Sequence, residues 1–119
     1  MVRTFVVTLI TGTPINLLSS LAGLAVGASP PQTTAVRQLD LALRRLDLQP
    51  RGTNAAPVYV GQDNTTSSTN YGVRLEAAVA TIPPAPYPLG DFNAGPLHFS
   101  DVWALGTTGD FLHVLGVPF

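Results

Sequence analysis

Between Asp101 and Val117 the chain twice alternates apolar with small or polar residues, around a centre of Gly106-Thr107-Thr108-Gly109-Asp110. Asp101-Val102-Trp103-Ala104-Leu105 and Phe111-Leu112-His113-Val114-Leu115-Gly116-Val117 each have the two-residue period of a strand. Two such runs joined by a glycine-containing turn predict a β-hairpin. Upstream, Phe5 to Ile10 is a β-branched strand with apolar residues on both faces, ended by Thr11-Gly12-Thr13-Pro14. Pro57-Val58-Tyr59-Val60-Gly61 and Tyr71 to Ala77 are two further strands, separated by the polar loop Gln62–Asn70.

Helical signals are fewer. Pro14 suits a first turn with Thr13 as its cap, and Ile15, Leu17, Leu18 and Leu21 form a stripe, so a short helix is expected over residues 14–22. Residues 34–49 fit two templates. Val36, Leu39, Leu43 and Leu46 keep helical spacing, whereas Leu39, Leu41, Leu43 and then Leu46, Leu48 alternate as strands do, given a bulge at Arg44-Arg45. The expectation is strand for 44–49, with 34–42 open between the two, followed by a turn at Pro50–Asn54.

Residues 82–96 hold five of the eleven prolines, Pro83, Pro84, Pro86, Pro88 and Pro96. Such a segment is expected to stay out of any ladder and lie extended over the surface. Its Tyr87, Leu89 and Phe92, with Phe119 at the end of the chain, are the candidate partner contacts, against the plainer reading that they pack on their own sheet. The expected fold is a single all-β domain over residues 1–119. It would be an antiparallel β-sandwich or jelly-roll-like barrel with one short N-terminal helix and a long proline-rich loop.

Composition narrows the chemistry. Six arginines, no lysine and seven carboxylates make 11% charged residues, where about 25% is usual. No basic run exceeds Arg44-Arg45, so the phosphate neutralisation that nucleic-acid binding needs is not provided. Absence of cysteine removes disulfides, thiolate chemistry and zinc ribbons. The apolar run after Arg3 stops after six residues, below the 7–15 or so of a leader peptide core and far below the roughly 20 of a spanning helix, so it reads as an uncleaved first strand.

No catalytic or cofactor-binding constellation is expected. His98, His113, Asp101 and Asp110 match no metal-ligand spacing, and His113, between Leu112 and Val114, reads as a solvent-facing strand residue. Asp63, Asp91 and Asp110 fit turn roles. Ser19, Ser20, Ser67, Ser68 and Ser100 lack the strand-turn-helix elbow of a nucleophile. The glycine turn at 106–109 has no lysine and opens no helix, so it is no phosphate cradle. Asn64-Thr65-Thr66 fits a glycosylation acceptor and marks an exposed loop.

Five segments occur in an order that resembles small virion structural proteins of tailed bacteriophages. They are Arg44-Arg45-Leu46-Asp47-Leu48-Gln49, Pro57-Val58-Tyr59-Val60-Gly61, Ser68-Thr69-Asn70-Tyr71-Gly72-Val73-Arg74-Leu75-Glu76-Ala77, Ser100-Asp101-Val102-Trp103-Ala104-Leu105-Gly106 and a hydrophobic last strand. The first strand and the Pro14-Ile15-Asn16-Leu17-Leu18 stretch also look like the way these proteins begin. Residues 34–42 and the long proline-rich stretch depart from that pattern.

The resemblance implies a non-enzymatic β-sandwich module without cofactors. It would be made in the host cytoplasm and carried on the virion as a homo-oligomer, a trimer, that binds the major capsid protein and cements the shell. Two other readings stand beside it: a tail, neck or fibre-associated module, with the 62–70 loop and Tyr71 contacting host glycans, and a secreted carbohydrate-binding or hydrolase accessory module.

Overall fold

The computed structural model describes residues 2–78, 82, 84–90 and 96–119. Among these, the alternating runs form strands β1 (Arg3–Thr8), β2 (Ile15–Asn16), β3 (Leu43–Pro50), β4 (Val58–Gly61), β5 (Val73–Leu75), β6 (Tyr87–Leu89), β7 (Trp103–Leu105) and β8 (Phe111–Pro118). Two six-residue helices, α1 (Leu17–Ala22) and α2 (Thr34–Leu39), and a 3-10 turn at Phe99–Asp101 complete the elements. The strands make two antiparallel four-stranded sheets, ordered β1-β8-β3-β6 and β2-β7-β4-β5. Pairing is nested, first strand with last, second with second-to-last, third with sixth and fourth with fifth.

Alternation explains which side of each strand is buried. Leu46 and Leu48 of β3, Leu112 and Val114 of β8 and Val7 of β1 share one buried cluster with Val58, Val60, Leu75 and Ala104 of the other sheet. Two sheets covering one core are compatible with a β-sandwich. Phe99 fills the space opposite Gly116, where a Cβ would lie 2.6 Å from its ring, and meets Phe5 edge-on at 5.4 Å. Only glycine permits that approach.

Several expectations change. The helix begins at Leu17, not Pro14, because Ile15 and Asn16 pair with Ala104 and Trp103. Asn16, not Thr13, is the cap, accepting from the Leu18 N–H at 3.0 Å. Residues 34–39 take the helical template, capped by the Thr33 hydroxyl, and the bulge does fall between Leu43 and Arg45. Pro50 closes β3 instead of opening a turn, its partner being Leu112. The proline-rich segment does join a ladder: Tyr87, Pro88 and Leu89 lie opposite Leu48, Asp47 and Leu46. β6 is an edge strand, and an edge is where a residue without an N–H is tolerated.

The largest correction concerns the terminal hairpin. β7 lies between β2 and β4, whereas β8 lies between β1 and β3, so the two runs belong to different sheets. The connection Gly106–Asp110 is held by the rest of the chain instead of by its own flanks. Thr11 and Thr108 exchange N–H to hydroxyl bonds at 3.0 and 2.9 Å, and the Leu9 N–H reaches the Asp110 carbonyl at 3.1 Å. The buried Asp110 carboxylate accepts the N–H groups of Ala55 and Ala56 at 2.9 and 3.1 Å. Asn54 exchanges two bonds of 2.8 Å with the Phe111 backbone. A strand pair signal is local, but these long-range partners decide where each strand goes.

Replacing the buried Asp110 by Asn takes away one of its two acceptors for the Ala55 and Ala56 N–H groups and leaves a buried amide donor to be satisfied, so D110N should lower unfolding stability by about 1–3 kcal/mol. Denaturant titration of both proteins checks this, and an unchanged midpoint would count against the role given to the carboxylate.

Candidate functional site

The same alternation that fills the core leaves a second set of β1-β8-β3-β6 side chains facing outward. In register these are Val6, His113 and Gln49 in one row and Thr4, Leu115, Asp47 and Pro88 in the next, flanked by the pairs Thr8–Phe111 and Val117–Arg45. A solvated sheet face is ordinarily polar. Here Val6, Phe111, Leu115 and Val117 are apolar, and Arg45 and Asp47 neutralise each other at 2.8 Å.

Arg51 covers part of this face. Its guanidinium sits 4.0 Å from the centre of the Phe111 ring, and its Nε donates to His113 Nε2 at 3.1 Å. In this bond the imidazole Nε2 is the acceptor. Gln49 Nε2 donates to the Pro84 carbonyl at 2.9 Å and ties the proline-rich chain across the sheet. Pro86 then walls a cleft of about 470 Å³ whose floor includes Val6, His113 and Leu115. Such a surface, apolar in part and with few charges beyond the Arg45–Asp47 pair and Arg51, can take extended chain or another protein's flat face.

The four contact residues expected from sequence are not gathered into it. Tyr87 is 39% exposed and Leu89 half-buried against the core. Both share the side of Leu48 and Leu46 in the register, opposite to the outward rows. Phe119 is 72% exposed, and its N–H meets the Ala42 carbonyl at 3.3 Å, at the far end of β3. Phe92 lies outside the described residues, as does Asp91. The outward apolar row was missed although a signal for it existed: Phe111 to Val117 is apolar in both phases of its alternation.

A second concave region, about 450 Å³, lies beside the 62–70 loop and includes Gln62, Asp63, Asn70 and Tyr71. Its polar groups serve one another. Asp63 accepts from the Thr65 hydroxyl and, at 2.9 Å, from the Thr65 N–H, and Asn70 Nδ2 donates to the Thr65 carbonyl at 3.2 Å. Tyr71 packs against Tyr59 with the rings tilted and their centroids 5.1 Å apart.

The remaining polar candidates hold the frame. The Ser100 hydroxyl donates to Asp40, and Asn16 Nδ2 donates to the Ser100 carbonyl at 2.9 Å. The Asp101 carboxylate accepts the His98 N–H at 2.9 Å. Among the described residues no group of three His, Cys, Asp or Glu side chains could hold a metal, and no helix is long and apolar enough to cross a membrane. Compared with known proteins, the chain matches no family model, no curated protein and no solved structure.

The Thr65 hydroxyl, and next the Thr65 N–H, hold the exposed Asp63 carboxyl below its ordinary 3.8. A depressed folded-state value means that this bond supports the loop above the ordinary carboxylate pKa and is lost as pH falls through the lower folded one. T65V should return Asp63 toward its ordinary value in an NMR titration. Equal titration curves for the two proteins would contradict the assignment.

Proposed function

We propose that this chain is a non-enzymatic structural module of a tailed-bacteriophage virion, a decoration or cement protein that binds the major capsid protein. The observation that carries the reading is the outward face of the β1-β8-β3-β6 sheet. It presents Val6, Phe111, Leu115 and Val117 with one internally neutralised ion pair and the single Arg51 guanidinium over Phe111, where a solitary soluble domain has reason to place more charge.

The nested strand order supports the finer fold proposal. Four antiparallel pairs, wrapped so that each sheet takes two of them, are what a jelly roll requires, and jelly rolls recur in capsid domains. The proline-rich segment adds a strap with little entropy to lose when it is covered. Many weak copies on one shell sum to a large effect, since each added contact is effectively intramolecular once the shell is assembled.

A tail or host-glycan role rests on Tyr71, 43% exposed beside its loop cleft. Thr65, Thr66 and Asn70 are engaged within that loop, and the outward sheet face remains the observation that favours the shell reading.

Particles stripped of the protein should release DNA at a lower temperature than intact ones and recover on its re-addition. Leu115→Arg should fail to restore them while unfolding as the unaltered protein does. Unchanged release temperature after stripping would overturn the cementing role, and a dozen or fewer copies per particle would move the protein to the tail.

A further inference from the structure

We infer that β1 is a dimerisation edge, on which a second copy of this chain pairs its own β1 antiparallel to form one continuous eight-stranded sheet. An open sheet leaves unpaired N–H and C=O groups along its edges, and natural chains keep such edges short or interrupt them with proline, bulges or charge. Among the described residues, three of the four edges follow that rule. β2 has two residues, β5 has three, and β6 has three with Pro88 at its centre.

β1 does not follow it. It runs six residues in unbroken register against β8, without proline, lysine or bulge, and its single charge, Arg3, stands at its very start. Among the described residues its backbone pairs with β8 alone. The buried Leu17 and Leu18 of α1 join Val7 in the core, while Thr4, Val6 and Thr8 remain exposed and Val2, just before the strand, is 55% exposed.

The sequence of β1 is compatible with itself. A two-fold axis through Val6 sets Val6 against Val6 of the second copy, Thr4 against Thr8 and Phe5 against Val7, with like faces together. Threonine pairs and aromatic to β-branched pairs stabilise neighbouring strands, and no like charges come opposite. The contact is isologous and closes at two copies, so it replaces the trimer expected from the resemblance. It also joins the two outward apolar faces side by side.

The test is mass in solution with paired charge variants. Unaltered protein should run at about twice 12.5 kDa by light scattering. Val6→Lys and Val6→Glu, each folded by circular dichroism, should each weaken association at least about tenfold, and their mixture should restore the dimer because position 6 faces itself. Concentration-dependent protection of the residue 3–8 amides in the unaltered protein gives a readout independent of any variant.

A monomer at millimolar concentration, a trimer, or a Val6→Lys protein that dimerises as tightly as the unaltered one would each overturn the inference. Because Val6 also lies on the face proposed to bind the shell, the two readings are separated with the unaltered protein: a monomer that still stabilises particles leaves the cementing role standing and overturns the edge pairing. A dimer that never binds particles leaves only the edge pairing.

Discussion

The crossing at Gly106–Asp110 determines which strands can be neighbours. β7 and β8 follow each other closely in the chain and both alternate, so pairing with one another is the shortest route open to them. What prevents it is a set of bonds from elsewhere: Asn54 and Asp110 tie the end of the crossing to the 54–56 segment, and Thr11 and Leu9 tie its middle and end to the segment that follows the first strand. Once β8 is placed between β1 and β3, β7 is free for β2 and β4, and the nested order follows. Gly116 and Phe99 then close the space between the layers.

Much of this was legible as local pattern. The positions of β1, β3, β4, β5 and β8 follow from two-residue periodicity, and of the residues that alternate there, Leu46, Leu48, Leu112 and Val114 lie in the core. The Arg44-Arg45 bulge was readable because the apolar phase slips there. Pairing partners were not readable, since periodicity fixes a residue's face and says nothing about its neighbour. Pro88 misled for the same reason: proline excludes a central strand but not an edge, and edge status is a property of the whole sheet. Residues 34–39 satisfied both periods, and the Thr33 cap decided for helix.

The contact surface shows the same division. Tyr87, Leu89 and Phe119 stood out as large apolar residues in irregular sequence, yet the register turns Tyr87 and Leu89 to the core side of an edge. The outward face is assembled from strands distant in the chain, with Val6, Leu115 and Gln49 among its residues, and only the ladder brings these together. A weakly charged exterior thus has a structural origin, because the terminal strand is apolar in both phases and cannot hide both faces in one core. Partner binding is the use proposed for the face left over.

The layer crossing itself is open to direct measurement by cross-strand proton NOEs on the labelled protein. The nested order predicts contacts of Trp103 and Ala104 with Asn16 and Ile15, and of Leu112, His113 and Val114 with Val7, Val6 and Phe5. A ladder of contacts running directly between Trp103–Leu105 and Phe111–His113 would establish a simple hairpin and contradict the two-sheet topology on which the surface assignment stands.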